Sequence, residues 1–323
     1  MTRESNGFAV RAVGLQRQFN GTTAVESLDL EIGKGEISGF LGPNGAGKTT
    51  TVRMLCTLLA PTGGSAIVAG HDVATDPGAV RLRIGAALQD VALDPKQTGT
   101  ELLRLQGRLY GLPARAIERR VQQLGELIDL GHALDQRIAT YSGGMRRRLD
   151  LAAALVHNPE ILFLDEPTTG LDPISRARVW AEVRRLNAEL GMTIFLTTQY
   201  LEEADELAHR VGIIDRGRMV AEGTPTDLKR SVGSDLIIAR VEGEAEGIAS
   251  AVAALPGVQS VEAHGSELVI ATDNGSAAIS PVAVALAACE VRVRDLTLRT
   301  PTLDDVFLDL TGTRIDHDTE ESS

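Results

Sequence analysis

A glycine-rich octapeptide carries the clearest chemical signal in this sequence. The stretch GPNGAGKT, from Gly42 to Thr49, matches the pattern G-x-x-x-x-G-K-[ST], whose glycines let backbone N–H groups surround phosphate oxygens. It lies between an apolar segment and a segment of helical periodicity, so a helix N-terminus adds partial positive charge. Lys48 is expected to bridge β- and γ-phosphates and the Thr49 hydroxyl to ligate Mg²⁺; the alternative is a glycine turn that binds nothing. The predicted loop residues are Gly42, Pro43, Asn44, Gly45, Ala46, Gly47, Lys48, Thr49 and Thr50.

A pair of carboxylates follows a short apolar run. In ILFLDEP, Asp165 and Glu166 stand at the end of a segment typical of a buried strand, where charges are costly unless they face a site. Asp165 is expected to hold Mg²⁺ through water, and Glu166 to orient or deprotonate an attacking water. The alternative is an acidic cluster at a helix entry, before Pro167.

Two glycines at the start of a further helix predict a second anion site. Ser142 is expected to be the N-cap of the run MRRRLDLAAAL, and Gly143 and Gly144 leave N–H groups open to an anion. Because one loop already surrounds the phosphates of a single nucleotide, a second loop is most useful when it closes over a nucleotide held by another molecule. The stretch therefore predicts a dimer with ATP at the seam, and the alternative is that Ser142 only caps a helix.

Two charged runs are not expected to form a basic binding stripe or a metal site. Arg146 to Arg148 are consecutive, and successive positions turn by about 100° around a helix, so they cannot share one face and are expected to divide among solvent, acidic partners and a subunit contact. The acidic run from Glu202 to Glu206 is expected to be a solvated helix face rather than a metal site.

Periodicity places these motifs on an α/β scaffold. Alternating residues before the phosphate loop predict early strands, and the loop with its helix opens a parallel sheet. Apolar residues at spacings of three and four from about 98 to 128 predict a helical insert, and PEILFLDEP and MTIFLTTQ predict strands buried on both faces. The first domain is expected over 8–230, with a helical subdomain at about 90–155.

A smaller domain is expected to follow. From 232 to 312 the pattern reads β, α, β, β, α, β, the order of a ferredoxin-like α+β unit, joined through TPTDLKRSVGS. We hypothesise that this domain steadies a dimer or regulates turnover. Residues 1–7 and 313–323 have no apolar periodicity and are expected to be disordered.

Charge and cysteine content exclude several classes of protein. The chain of 323 residues has a net charge of −12 and a pI near 5.0, which argues against a nucleic-acid partner. Cys56 and Cys289 are far apart in sequence and are expected to be reduced in an intracellular protein. The sequence has no secretory leader pattern and no apolar run long enough to span a bilayer, so a membrane role is expected to require a separate partner.

These motifs, in this order, resemble the ATP-binding subunits of ABC transporters over about 8–223. The resemblance implies a P-loop NTPase nucleotide-binding domain in which YSGGM is the signature loop that contacts the partner's ATP, with Tyr141 and Met145 departing from the common LSGGQ. It implies that Gln89 senses Mg²⁺ or water and couples to the membrane partner. Phe19 matches an aromatic residue that stacks on adenine, although a lone Phe is more often part of a core. Asp172 matches the loop that contacts the second subunit.

Gln199 departs from the family pattern. It occupies the position of the histidine that usually senses the γ-phosphate, and a neutral amide donates a hydrogen bond but carries no charge and shuttles no proton. Hydrolysis is therefore expected to be slower or to rest more on Glu166. The stretches SGGMRRRLDLAAAL, LTTQYLEEADELA and TLDDVFLDLTG resemble a narrower group, the daunorubicin/doxorubicin-type drug-resistance subunits, in which this Gln is a familiar variant.

The sequence thus predicts a Mg²⁺-dependent ATPase subunit that forms a homodimer around two ATP molecules and drives a separate transmembrane permease. It is expected at the cytoplasmic side of the membrane and to be soluble when alone. Drug or antibiotic export is implied by the narrower resemblance. Two alternatives stay open: a soluble ABC ATPase without a transport role, and a regulatory subunit that binds nucleotide without useful turnover.

Overall fold

The structure, a computed structural model, describes residues 7–89, 93–243, 245–289 and 291–312. The chain divides into two compact units whose boundary lies between Pro225 and Thr226. The predicted boundary was at 230–232, because TPTDLKRSVGS has the polar and turn residues of a linker. In the structure Pro225–Val232 is a helix, which accounts for the difference. The disorder predicted for 1–7 and 313–323 concerns residues outside the described ranges, except for Gly7, whose carbonyl accepts from the Lys34 N–H at 3.3 Å.

The first unit alternates strands and helices. Its strands are β1 (Phe8–Phe19), β2 (Thr22–Gly33), β3 (Ile37–Leu41), β4 (Gly63–Val68), β5 (His71–Asp72), β6 (Ile84–Ala87), β7 (Ile161–Asp165), β8 (Thr193–Thr198), β9 (Arg210–Asp215) and β10 (Arg218–Gly223). Its helices are α1 (Lys48–Leu55), α2 (Pro77–Arg83), α3 (Gly99–Leu109), α4 (Ala114–Leu127), α5 (Gly143–Leu155), α6 (Pro173–Leu190) and α7 (Leu201–Leu207).

Two sheets organise this unit. Strands β2-β1-β4-β5 form an antiparallel sheet, and β10-β9-β3-β8-β7-β6 form a six-stranded one. In the second sheet β3, β7 and β8 are buried at every residue, as their short apolar runs predict. Neighbours from β9 to β6 pair in parallel, and β10 pairs antiparallel with β9 at the edge. Because parallel strands end at one edge, the segments after β3, β7 and β8 meet there.

The helical segment between β6 and β7 packs around its own apolar residues. Helix α3 begins with a capping box, in which the side chains of Thr98 and Glu101 each bond the other's backbone N–H. Apolar side chains of α3, α4 and α5 belong to one buried cluster together with side chains of β7 and α6. The three helices occupy 99–155 of the helical subdomain predicted at about 90–155.

The second unit is a ferredoxin-like α+β fold, as predicted. Its sheet has the order β12-β13-β11-β14 with every pair antiparallel, and the helices of the β-α-β-β-α-β order pack their apolar residues into one cluster with it. Its elements are α8 (Pro225–Val232), β11 (Asp235–Val241), α9 (Glu246–Ala253), β12 (Val258–His264), β13 (Glu267–Thr272), α10 (Gly275–Ala288), β14 (Val293–Arg299) and α11 (Leu303–Thr311). Among the described residues of both units, no helix combines the length and apolar character needed to cross a bilayer.

The packing of β6 against α5 leaves no room for a side chain at Gly85. A Cβ there would lie 2.4 Å from the carbonyl oxygen of Ala154, a backbone atom that cannot rotate away. Gly85→Ala is therefore expected to lower the free energy of unfolding by about 2 kcal/mol or more. Gly78→Ala is the matched control, because Gly78 is helical and no atom lies within 4 Å of its Cβ position. That change is expected to be neutral or to stabilise by up to about 1 kcal/mol. Urea unfolding of the full chain compares the two, and equal midpoints would contradict the packing.

Candidate functional site

The phosphate loop leaves the sheet after β3 and enters α1. The Gly42 N–H donates to the carbonyl of Thr198 at 3.3 Å, which ties the start of the loop to the end of β8. Gly47 has φ of 105°, and a Cβ there would lie 2.6 Å from the carbonyl oxygen of Ala24. The ammonium of Lys48 donates back to the carbonyl of Gly42 at 2.7 Å. The loop therefore curls around its own lysine, and only glycine fits at position 47.

Asp165 ends β7 with a carboxylate that is almost fully buried. Its Oδ1 accepts hydrogen bonds from the Thr49 hydroxyl at 3.2 Å and from the Thr197 hydroxyl at 2.5 Å. Its Oδ2 is buried and has no hydrogen-bond partner. Asp165 thus offers a buried carboxylate oxygen without a partner, next to the hydroxyl oxygen of Thr49. These two oxygens fit a hard cation that takes oxygen ligands, as Mg²⁺ does.

Glu166, the first residue after β7, lies between Lys48 and Gln89. Its φ of 48° is uncommon for a residue with a Cβ, and its N–H donates to the carbonyl and to the hydroxyl oxygen of Thr197, both at 3.1 Å. Its Oε1 lies 3.2 Å from the Lys48 ammonium. Its Oε2 accepts from the Gln89 amide at 3.4 Å. The strained turn thus directs the carboxylate toward the phosphate loop.

Burial governs the charge of this cluster. Lys48 is 4 % exposed and Glu166 is 7 % exposed. Burial lowers the pKa of the Lys48 ammonium, and the adjacent Glu166 carboxylate and the charge of Asp165 oppose that shift. A buried ammonium of this kind is stable only beside an anion, and a phosphate group is such an anion.

The loop from Ser142 to Gly144 opens α5 within reach of the same cleft. Ser142 caps the helix, since its Oγ accepts from the Met145 N–H at 3.2 Å, as the helix-capping alternative predicts. Gly143 lines a cavity of about 300 Å³ that is also lined by Gln89 and Glu166. The helix start and the catalytic candidates therefore border one cleft within a single chain.

The remaining predicted residues lie at distinct places in the first unit. Phe19, at the end of β1, is 41 % exposed rather than part of the core, and the guanidinium carbon of Arg17 lies 4.4 Å from its ring centroid. Gln199 directly follows β8 at the carboxyl edge of the sheet and is buried. Asp172 caps α6, accepting from the N–H groups of Ile174 and Ser175 at 3.0 Å.

The expectation for the arginine run holds in part. Arg146 is exposed, and Arg147 and Arg148 each have an acidic neighbour, Asp150 at 3.4 Å and Asp129 at 3.7 Å. Both are nevertheless buried and donate mainly to backbone carbonyls, which the sequence did not predict. The reason is that α5 is covered on more than one side, so consecutive positions are buried in different surroundings. The sequence gives little indication of this burial, because arginine is usually exposed and nothing in the run distinguishes Arg147 and Arg148 from Arg146.

The acidic run was also misread at one position. Glu203 is fully buried, and its Oε1 accepts from the Thr168 hydroxyl and the Trp180 indole N–H, both at 2.9 Å. Helical spacing could have predicted this burial. Glu203 is four residues before Leu207 and so lies on the side of α7 that carries its buried apolar residues. Glu203 thereby links the segment after Glu166 to α6 and α7.

Two family models match the chain. The model described as "ABC transporter" matches residues 25–169, which include the phosphate loop, the Ser142–Gly144 loop and the acidic pair. The model described as "ATP-binding protein DrrA1-3-like, C-terminal domain" matches residues 223–311, which contain nearly all of the described second unit.

Relatives match over nearly the whole length. The chain is 48% identical to the daunorubicin resistance ATP-binding protein DrrA3 of Streptomyces coeruleorubidus, over 94% of this chain and 96% of that protein. It is 48% identical to the daunorubicin/doxorubicin resistance ATP-binding protein DrrA of Streptomyces peucetius, over 98% of this chain and 96% of that protein. Among solved structures it is similar to cbiO1 of Clostridium perfringens, part of the ABC transporter complex cbiONQ, with 25% identity and a TM-score of 0.64 over 69% of this chain and 91% of that one.

The buried carboxylate of Glu203 generates a stability prediction. Burial raises its pKa, and hydrogen bonds from Thr198, Trp180 and Thr168 and the charge of Arg176 oppose this shift. A raised pKa means that the charged form costs stability at neutral pH and that this cost is relieved as pH falls through the folded-state pKa. Glu203→Gln keeps the accepting oxygen without the charge, so its thermal midpoint at pH 7.5 is expected to equal or exceed that of the parent.

Glu203→Ala is the contrasting variant. It leaves the buried donors of Thr168 and Trp180 without an acceptor and is expected to cost about 2 kcal/mol or more. Thermal unfolding from pH 5 to 8 measures both variants, and any advantage of Gln over the parent should shrink toward low pH. A Gln variant as unstable as the Ala variant at pH 7.5 would contradict this account.

Proposed function

Because the chain belongs to the ATP-binding subunits of ABC transporters, a family that binds and hydrolyses ATP, we propose that hydrolysis takes place where Lys48 and Glu166 meet. The observation that carries this proposal is the buried pair itself, 3.2 Å apart at the edge of the sheet, with Asp165 and Thr49 beside it. Buried ionisable groups that perturb one another in this way are concentrated at functional sites.

The phosphate loop is proposed to hold the triphosphate. Backbone N–H groups of the loop after Pro43 and the N-terminus of α1 supply partial positive charge. Lys48 moves its ammonium from carbonyl oxygens and Glu166 onto the β- and γ-phosphates. Phe19 offers an exposed ring to the adenine, and Arg17 covers part of that ring.

A magnesium ion is the implied cofactor, and the residues present fit it. Thr49 would hold it directly, Asp165 through its unpartnered Oδ2 or through water, and Gln89 from the other side of the cleft. Bound Mg²⁺ supplies positive charge against the phosphate oxygens. Thr197 keeps the Asp165 carboxylate in its orientation through the 2.5 Å hydrogen bond to Oδ1.

Glu166 is proposed as the group that activates water. Its carboxylate orients the water or accepts its proton while the water oxygen attacks the γ-phosphorus and the bond to the bridging oxygen breaks, releasing ADP. The Gln89 amide, 3.4 Å from Oε2, helps to direct that carboxylate. Gln199, at the same edge, is a neutral hydrogen-bond donor to the γ-phosphate and cannot take the proton in place of Glu166.

Two copies of the chain are proposed to share two ATP molecules. Ser142, Gly143, Gly144 and Met145 of one copy approach the triphosphate held by the other, using the N–H groups at the start of α5. Asp172 caps the start of α6 and accepts from the Ser175 N–H. Gly144 is close to the same turn, because a Cβ on Gly144 would lie 2.9 Å from the Ser175 hydroxyl oxygen. The predicted dimer-contact loop is therefore next to the signature loop.

The transported compound and the partner are proposed from the relatives. The names of these relatives refer to daunorubicin and doxorubicin resistance. We therefore propose that the ATPase, at the cytoplasmic face of the membrane, energises export of a drug or antibiotic through a separate permease. The second unit is proposed to steady the dimer or to regulate turnover. This is supported by its match to the DrrA1-3-like C-terminal model, which lies in the same chain as the match to the ABC transporter model.

ATP-driven dimerisation tests the shared site. In Glu166→Gln, hydrolysis is expected to fall by about 100-fold or more while ATP still binds, so light scattering should show conversion of monomer to dimer on addition of Mg-ATP. Adding Ser142→Arg places a bulky side chain at the proposed seam and is expected to block the dimer. Ser142→Ala is the control for the lost helix cap, which costs about 1 kcal/mol. An unchanged mass with demonstrated ATP binding would contradict closure between two copies.

Metal binding can be tested apart from turnover. Asp165→Asn removes the charge of the unpartnered oxygen, so in the presence of ATP its affinity for Mn²⁺, followed by electron paramagnetic resonance, is expected to fall about tenfold or more. Asp172→Asn is the matched control, because Asn also caps a helix and Asp172 lies outside the proposed metal site. Equal Mn²⁺ affinity in the two variants would contradict the assignment of Asp165.

A further inference from the structure

Arg147, on α5, donates to three backbone carbonyls that belong to two segments of the first unit. Its Nε donates to the carbonyl of Pro167 at 2.9 Å, its Nη1 to that of Leu88 at 2.6 Å and its Nη2 to that of Asp165 at 3.2 Å. The residue is 6 % exposed, and its nearest carboxylate, Asp150, lies 3.4 Å from Nη1. Burial lowers the pKa of the Arg147 guanidinium and disfavours its charge. A guanidinium that is buried among carbonyl oxygens therefore costs more folding free energy than an apolar side chain of similar size.

The carbonyls that Arg147 binds bracket the hydrolytic candidates. Asp165 and Pro167 are the residues on either side of Glu166, so the guanidinium fixes the backbone before and after the carboxylate. Leu88 directly precedes Gln89, so a third N–H group fixes the backbone from which that amide projects. The 3.4 Å contact between Gln89 and Glu166 depends on both segments staying in place.

The position of Arg147 on α5 adds a connection to the signature loop. Arg147 is five residues after Ser142, and helix α5 rises about 1.5 Å per residue. A rigid turn of helix therefore joins the loop that is proposed to meet the second copy's ATP to the guanidinium that holds Glu166. The planar fork of five N–H groups makes this possible, and a lysine ammonium cannot reach three carbonyls in the same directions.

We propose that Arg147 is a positioning residue for hydrolysis, which holds Glu166 and Gln89 in register with each other and with the Ser142–Gly144 loop. This inference rests on the proposed function, because it assigns to Glu166 the activation of water. It predicts that Arg147 contributes to turnover without contributing to the binding of ATP. No contact of the Arg147 side chain with the phosphate loop is needed for that effect.

Arg148 provides a matched control on the same helix. It is also buried, at 8 % exposure, and its Nη1 donates to the carbonyls of Ile128 and Asp129 at 2.7 and 3.0 Å, within the helical segment. Arg148→Lys therefore removes a guanidinium of similar burial and bonding that does not touch the backbone around Glu166. Arg147→Lys and Arg148→Lys are expected to lower thermal stability to similar degrees.

The test is a split between turnover and binding in the full-length protein. Arg147→Lys is expected to lower kcat by about 10- to 100-fold, as a shift of about 1 Å in a catalytic group does. Its dissociation constant for a fluorescent ATP analogue should stay within about twofold of the parent, and Arg148→Lys should stay within about twofold in both quantities. A kcat for Arg147→Lys equal to that for Arg148→Lys, or parallel losses of binding and turnover, would overturn the proposal.

Two further measurements distinguish a positioning role of Arg147 from a purely structural one. Arg147→Ala leaves a space lined by the three carbonyls, and added ethylguanidinium, but not an equal concentration of sodium chloride, should restore part of kcat. If both Arg147 variants fail to fold while Arg148→Lys folds, Arg147 has a structural role and the proposal fails. Glu166→Gln separates the premises: full turnover in that variant refutes the proposed function, whereas loss there with normal turnover in Arg147→Lys refutes only the role of Arg147.

Discussion

The architecture of the first unit depends on keeping a buried cation and two buried carboxylates together at one edge of a parallel sheet. Lys48, Asp165 and Glu166 are each less than a tenth exposed, and a buried charge is tolerated only beside an opposite charge or a dense set of hydrogen bonds. Lys48 and Glu166 satisfy each other across 3.2 Å, and hydroxyl groups satisfy one oxygen of Asp165. Burying these charges costs free energy of folding, and the same buried charges favour binding of a phosphate and a metal ion.

The order of the central strands supplies the geometry that this cluster needs. Strand β8 lies between β3 and β7, so the end of β8 can bond to both flanking segments. Thr197 holds the Glu166 turn and the Asp165 carboxylate, and the carbonyl of Thr198 receives the Gly42 N–H at the start of the phosphate loop. One short, fully buried strand thus fixes the separation of the phosphate loop from the acidic pair, and Gln199 follows directly from it.

Polar groups away from this edge serve as internal connections. Arg147 joins α5 to the backbone around Glu166, and Glu203 joins α7 to Thr168 and Trp180. The Arg147 guanidinium donates to, and the Glu203 carboxylate accepts from, segments that are distant in sequence. The loops next to the cluster therefore have little freedom to move independently. A proposed motor that must transmit a change at one nucleotide to another surface requires connections of this kind.

The residues alone were enough to place the glycine-rich loop between a strand and a helix, the acidic pair at the end of a buried strand, the helical segment, and the β-α-β-β-α-β order of the second unit. Each of these is encoded locally, as a glycine pattern, a short apolar run that ends in carboxylates, or a helical or alternating period. Local patterns also located the cap at Ser142, because a cap involves only its own first turn.

Only the tertiary structure decided which charges are inside. Arg147 and Glu203 belong to runs of charged residues, and charge in sequence ordinarily indicates solvent exposure. Whether such a side chain is buried depends on which distant carbonyl or hydroxyl groups the fold brings to it, and that information is absent from its sequence neighbours. The unit boundary at 225 also differs from the predicted 230–232: TPTDLKRSVGS has the composition of a linker, but Pro225–Val232 is a helix whose Leu228 is buried. Burial is a property of the assembled chain, whereas a phosphate loop is a property of eight consecutive residues.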